Sequence, residues 1–260
     1  MAAVRPSIGS EAIVVPAPVE VVDDRESPER VAVLDMDGTL VPRTLGLDLL
    51  AELVARGHCD VAVARRVFEL ARRGGGTDDR LNAAMYGHYH HAVVTTAPER
   101  LAAAAERTWS RASASVFPFV ADLWALLRRH GHRILIISGS PQEVVAVAAR
   151  ALNADGWRGA DLGRHDDRAL LTALPGGKTK AFSALTAARA VDLSASFALG
   201  NSRFDAEIFA LVGRPLAFEP DAKLFELADR NNWSTATRDT VLARSQELLG
   251  GRGEVRSERR

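Results

Sequence analysis

Four short apolar runs, each stopping abruptly at its carboxyl end, constrain this chain more than any other feature. Arg133-Ile134-Leu135-Ile136-Ile137 is the strongest and stops at Ser138. Val31-Ala32-Val33-Leu34 stops at Asp35, and Ser196-Phe197-Ala198-Leu199 stops at Gly200. Pro215-Leu216-Ala217-Phe218 is the weakest of the four. A run this short and unbroken fits a strand buried on both faces, as in a parallel sheet covered on each side by helices. Helical patterns fall between the runs. Residues 119–130 carry Val120, Leu123, Trp124 and Leu127 at helical spacing. Residues 142–152 follow Pro141, which suits a first helical turn. Residues 179–190 and 204–212 complete the set. Strands alternating with helices predict an α/β fold built on a parallel sheet.

One stretch breaks the alternation. Between about residues 43 and 117 there are helical patterns and no convincing strand. Residues 45–56, 60–72, 78–91 and 98–112 read as four helices, with Gly74-Gly75-Gly76 between the second and third. A helical block inserted after the first strand predicts a cap on an α/β core, so the core comprises residues 30–42 and 118–249 and the cap residues 43–117. Residues 1–29, with Pro6, Pro16, Pro18 and Pro28, read as a flexible lead-in in which residues 12–15 could pair as an edge strand. Residues 250–260 read as a frayed tail.

Composition excludes several functions. Lys plus Arg and Asp plus Glu each total 33, so the chain is formally neutral and has no electrostatic footprint for gripping nucleic acid or an acidic membrane. No apolar run approaches the roughly 18 residues of a membrane span, and the N-terminus does not read as a signal peptide. Cys59 is the single cysteine, so no internal disulfide is possible. The expected location is the cytoplasm. Of the cations only Lys178, Lys180 and Lys223 are lysines.

The chemistry-bearing residues gather where strands end, which is where open α/β sheets bind ligands. In chain order these are Asp35-Met36-Asp37-Gly38-Thr39, Ser138-Gly139-Ser140, Gly177-Lys178, and Gly200-Asn201-Ser202-Arg203-Phe204-Asp205. Two carboxylates two residues apart just past a strand share one site if the chain turns, and Gly38 permits the turn. Close like charges then call for a cation or a proton-transfer step. An EF-hand loop fails, because its glycine would fall at Leu40 and its closing glutamate at Gly46. A P-loop ending at Gly177-Lys178-Thr179 fails, because its first glycine would fall at Thr172.

Taken together, over residues 30 to about 235, these segments resemble the haloacid dehalogenase superfamily, in its phosphoserine phosphatase-like branch with a helical cap after the first strand. The resemblance implies a Rossmann-like core and a Mg²⁺-dependent phosphatase acting on a small phosphorylated metabolite. It implies that Asp35 attacks phosphorus to form an aspartyl-phosphate, and that Asp37 first protonates the leaving oxygen and then activates water. It assigns phosphate binding to Thr39, Ser138, the Gly139 amide and Lys178. It assigns Mg²⁺ to Asp35, the Asp37 carbonyl, Asn201 and Asp205. Lys178 is favoured over Lys180 as the motif lysine, because Phe182 follows it at the family spacing and its distance from Gly200 fits better. Ser140, directly before Pro141, reads as a helix N-cap.

Two departures from the pattern matter. Asn201 stands where the family has aspartate, which removes a negative charge from the metal site. Thr44 stands nine residues after Asp35, where phosphoserine phosphatases carry the glutamate that holds the substrate amino group. A neutral or polyhydroxylated phosphate ester is therefore expected rather than phosphoserine. Phosphotransfer, a larger sugar, polyol or biosynthetic phosphate as substrate, and phospho-ligand binding without turnover are the alternatives. In the cap, His88-Tyr89-His90-His91 reads as a polar face rather than a zinc site, with Tyr89 or His90 open to substrate contact. Arg43, Arg72, Arg73 and Arg80 are candidates for an anionic substrate tail, each alone reading more simply as surface.

Overall fold

The apolar runs pair side by side, as strands buried on both faces must. The computed structural model describes residues 27–74, 78–162 and 172–250. Within them lie β1 (Arg30–Leu34), β2 (His132–Pro141), β3 (Gly156–Ala160), β4 (Phe197–Gly200), β5 (Arg214–Phe218) and β6 (Ser234–Ala236). They form one six-stranded sheet in the order β3-β2-β1-β4-β5-β6, every neighbouring pair parallel. Side chains alternate between its faces. Leu34, Ile134, Ile136, Phe197, Leu199 and Phe218 enter one buried cluster, while Val31, Val33, Leu135, Ile137, Ala198 and Ala217 enter the other. Two apolar faces on one strand explain why the runs are continuous in sequence.

Helices α1 (Leu45–Ala55), α2 (Val61–Arg72), α3 (Asp79–Val93) and α4 (Pro98–Ala112) fall between β1 and β2, followed by α5 (Phe119–Arg129). After β2 come α6 (Gln142–Ala151), α7 (Gly177–Thr186), α8 (Ala206–Phe209), α9 (Ala222–Asn231) and α10 (Val241–Gly250). Helices α7, α8 and α9 cover one sheet face through Phe182, Ile208, Phe209 and Leu224. The other face packs against α5, α6 and α10, and the same cluster continues into α1–α4 through Leu49, Leu53, Val67, Tyr86 and Trp109. A charged clamp ties α1 to α4. Glu52, 6% exposed, accepts from Arg56 at 2.5 Å, Arg107 at 2.5 Å and Arg111 at 2.8 Å. Burial works to raise its pKa, but the three guanidiniums outweigh burial and hold it down at about 2.

Several elements differ from the sequence expectation. Strand β3 reads Gly-Trp-Arg-Gly-Ala, too short of apolar residues to signal a strand; it lies at the sheet edge and its first three residues are not fully buried. Strand β6 has only three residues at the opposite edge. Helix α7 starts at Gly177, not Thr179, so Lys178 lies in its first turn rather than before it. The helix expected over 204–212 is a 3-10 turn at Arg203–Asp205 followed by the short α8. There the Asp205 carboxylate folds back to accept from the Ser202 backbone and hydroxyl, tightening the turn. The strand expected at residues 12–15, the tail from 251 onward, and Gly75 and Gly76 lie outside the described residues.

Register brings the strand ends level. Leu34 pairs with Ile136 on one side and Leu199 on the other. The chain leaves β1 for β2 on one side and later returns to β4 on the other, so the connections diverge at the β1/β4 boundary. That boundary opens a crevice at the carboxyl edge of the sheet.

Candidate active site

Asp35 is the first residue beyond β1 and is held at that edge. Its backbone amide donates to the Leu199 carbonyl at 2.9 Å, and its carboxylate accepts from Thr39 Oγ1 at 3.2 Å. Its second oxygen accepts from Lys178 Nζ at 2.7 Å. The same ammonium donates to Asp205 at 2.5 Å and to the Ile137 carbonyl at 3.3 Å. All three charged residues are buried, none more than 6% exposed. Burial raises the Asp35 pKa, and repulsion from Asp205 and Asp37 adds to it against the pull of Lys178. For Lys178, burial pulls downward but Asp205 and Asp35 outweigh it, so the ammonium is held firmly charged.

Lys178 owes its position to the start of α7. Gly176 takes a left-handed φ of 78° as N-cap and offers no capping side chain. Glu207 on α8 supplies the cap instead, accepting from the Gly176 amide at 2.5 Å and the Thr179 amide at 3.2 Å. Lys180, two residues on, is exposed.

Asp37 sits opposite, against the N-terminus of α1. It accepts from the Leu45 amide at 2.9 Å, from Ser140 Oγ at 2.5 Å and from Ser138 Oγ at 3.3 Å. Burial raises its pKa despite these donors. Ser140 also accepts from the Gly46 amide at 2.7 Å. The N-cap of α6 is Pro141 and makes no side-chain cap bond, so the N-cap reading of Ser140 is corrected. Ser140 is a partner of Asp37 that its place before proline concealed. Gly38, between Asp37 and Thr39, has a φ of 77°, and a Cβ there would run into the Asn201 amide. The turn that turns Asp37 inward therefore needs glycine for conformation and for space.

The site opens onto a cavity of about 380 Å³. Asp35, Asp37, Gly139, Ser140, Lys178 and Asn201 form its floor, and Thr44 stands at its side. Leu47, Val67, Ala71, Met85, Tyr86 and Tyr89 bring the cap helices over it, with Pro141, Ala173 and Phe204 from the core. Thr39 and Ser138 are fully buried and stand behind this wall. Tyr86 donates to the Gly139 carbonyl at 2.6 Å and Tyr89 to the Gly46 carbonyl at 2.9 Å, so α3 is bonded directly to the site. His90 turns instead to the Leu162 carbonyl at 2.5 Å, and His91 is exposed. Arg43, Arg72, Arg73 and Arg80 line no part of the cavity, and Arg43 pairs with Asp48 at 2.6 Å. Lys178 is the sole cation among the described lining residues.

The donor set suits a hard divalent cation. Asp35, Asp37 and Asp205 face one ammonium, three negative charges against one positive, a formal excess of two. Only oxygen donors are present beside them, as Mg²⁺ prefers. Asp205 is committed to Lys178 and Ser202. Among the described residues no group of three His, Cys, Asp or Glu is arranged to hold a metal alone. A cation would therefore draw on Asp35 and on neutral oxygens, the Asp37 carbonyl and the Asn201 amide, with water completing its shell.

Comparison with known proteins gives the family and the fold. The family model for haloacid dehalogenase-like hydrolases matches residues 32–210, more than half of the chain. A stretch of 125 residues is 30% identical to phosphoserine phosphatase SerB1 of Mycobacterium tuberculosis H37Rv. That stretch is 46% of this chain and 40% of the relative, so the chain covers well under two thirds of the curated relative's length. Among solved structures, a protein of unknown function from Bordetella pertussis Tohama I superposes with a TM-score of 0.63 at 22% identity, over 82% of this chain and all of that one. A phosphoserine phosphohydrolase-like protein from Francisella tularensis gives 0.59 at 14% identity, over 83% of this chain and 98% of that one. A phosphoserine phosphatase in the form of a phospho-aspartyl intermediate analogue gives 0.55 at 16%, over 78% and 92%. At these identities the structural likeness is one of fold.

Proposed function

The chain belongs to the haloacid dehalogenase-like hydrolase family, and we propose that it hydrolyses a small phosphate monoester through an aspartyl-phosphate on Asp35. The observation that carries this reading is the buried ammonium of Lys178 on the cavity lining, bonded at once to Asp35 at 2.7 Å and Asp205 at 2.5 Å. An ammonium there keeps Asp35 oriented and offsets its repulsion from an incoming phosphoryl group. In the proposed reaction an Asp35 carboxylate oxygen bonds to phosphorus as the ester oxygen leaves. Asp37 gives its proton to that leaving oxygen, and its upward-shifted pKa favours the protonated form this step needs. It then takes a proton from the water that attacks the aspartyl-phosphate, which releases inorganic phosphate and restores Asp35. Ser140, Ser138 and the Leu45 amide keep Asp37 aimed through both steps. Mg²⁺, when bound, would supply charge neutralisation between nucleophile and phosphate, held by Asp35, the Asp37 carbonyl and Asn201. The cap helices over the cavity would keep bulk water from the intermediate.

Phosphoserine itself fits this cavity poorly. Thr44 lines the wall at the position where, by the family resemblance, phosphoserine phosphatases carry an amino-gripping glutamate. No cap residue on the wall is charged, and the core carboxylate of Asp221 is taken up by the Arg203 and Leu224 amides. The reading is tested by Mg²⁺-dependent release of phosphate from an aryl phosphate and a panel of phosphorylated metabolites. Wild-type protein is expected to turn over, and Asp35→Asn to fold normally without turnover. Activity retained in Asp35→Asn would overturn the assignment.

A further inference from the structure

Helix α3 turns one face to the cavity: Asn82, Met85, Tyr86 and Tyr89, at helical spacing, all line it. Three of the four are explained, since Tyr86 bonds to the Gly139 carbonyl of the floor, Tyr89 to the Gly46 carbonyl at the start of α1, and Met85 is apolar. Asn82 is not. It is 1% exposed, and among the described residues neither its Oδ1 nor its Nδ2 has a hydrogen-bond partner. A buried primary amide with neither side satisfied is rare and costs stability, so it calls for an explanation. The side chains of Leu47, Val67, Ala71 and Met85, which share the cap side of the wall, offer it no strong hydrogen-bonding group.

We propose that Asn82 is the specificity-determining residue of the cap and that it receives a neutral hydrogen-bonding group on the organic part of the substrate. This rests on the phosphatase reading above and narrows its substrate class. A carboxamide offers one donor and one acceptor side and no charge, so its complement is a hydroxyl or an amide. Apart from Thr44 and Asn82 itself, the cap side of the wall is aliphatic and aromatic, with no cation or carboxylate. The core side adds Ser202 and Asp221, whose carboxylate already accepts from the Arg203 and Leu224 amides. The substrate class is thus a phosphate monoester whose organic part is mostly apolar, uncharged, and marked by a hydroxyl or carboxamide. An amino acid phosphate is rejected for its charges. A sugar phosphate is rejected because one amide cannot satisfy a ring of hydroxyls under a largely apolar cap.

The test compares straight-chain alkyl phosphates with their ω-hydroxy and ω-carboxamide counterparts as substrates, and the matching phosphonates as non-hydrolysed ligands. Wild-type protein is expected to favour the best polar-marked member by about 10- to 100-fold in kcat/KM and in Kd, the effect of leaving a buried polar group unpaired. Asn82→Leu keeps the volume and removes the amide. It is expected to abolish that preference and to raise the melting temperature. Equal handling of plain and marked ligands by wild-type protein, or an unchanged preference in Asn82→Leu, overturns the proposal. The wild-type comparison stands whether or not the variant folds. Turnover without discrimination would sink the role of Asn82 and leave the phosphatase reading intact. Discriminating phosphonate binding without turnover of any ester would do the reverse.

Discussion

Replacing Lys178 by methionine removes a charge without removing much volume. The ammonium is 3% exposed and makes three hydrogen bonds, two of them to the buried carboxylates of Asp35 and Asp205. Without it those two buried carboxylates face each other with no counter-ion from the protein. Breaking a buried pair by deleting one partner costs about 3–5 kcal/mol. For a chain of this size that is a melting point roughly 10 °C lower. The cost must depend on pH. Asp35 is already held above the usual carboxylate range by burial, and losing Lys178 pushes it higher. A carboxyl whose folded pKa is raised stabilises the fold below its unfolded pKa, and that contribution is lost as pH rises through the folded value. The stability gap between variant and wild type should therefore be small near pH 4 and widen toward pH 8. Urea unfolding followed by circular dichroism across that range measures it, with Lys180→Met as the exposed control, expected within about 0.5 kcal/mol of wild type. A gap that is absent, or that does not grow with pH, refutes the buried-counter-ion argument.

Ser140→Ala should cut kcat by about 100-fold with little change in KM, because it frees Asp37 from its shortest hydrogen bond; an unchanged kcat would remove Ser140 from the proton-transfer machinery. Asn201→Asp should tighten Mg²⁺ binding in isothermal titration calorimetry, and an unchanged or weaker affinity would take Asn201 out of the donor set. Glu52→Gln should lower the melting temperature at neutral pH. Since the Glu52 pKa is depressed to about 2, its contribution is complete above the ordinary carboxylate range and fades as pH falls toward 2, so variant and wild type should converge in thermal melts at acid pH.

The parts of this fold legible in the sequence are those whose burial is two-sided or strongly periodic. The runs ending at Leu34, Ile137 and Leu199 announce central strands because both faces are apolar. Helix α4 matches its expected range, Pro98–Ala112, with proline at its start. Edge elements are silent for the opposite reason. The Gly-Trp-Arg-Gly-Ala of β3 has little apolar surface to signal, and β6 is too short for a pattern. At the site, residues whose role follows from a position just past a strand could be named, such as Asp35 and Asp37. Those whose role depends on which helix end arrives from elsewhere could not. Ser140 reaches Asp37 and Gly46 only because α1 starts against β2, and Glu207 caps α7 from a different helix. Asn82 is concealed in the sequence by the mixed polarity of α3, whose run of histidines is more conspicuous. The spacing of Asn82, Met85, Tyr86 and Tyr89 was the available signal.

The account turns on a covalent bond between Asp35 and the phosphoryl group. Rapid acid quench of wild-type protein during turnover, followed by peptide mass mapping, tests it most directly. The account predicts a phosphoryl group on the peptide containing Asp35, acid-stable, released by hydroxylamine, and missing in Asp35→Asn. Turnover with no phosphorylated peptide under conditions that trap it, or a phosphoryl group on any other residue, would contradict it.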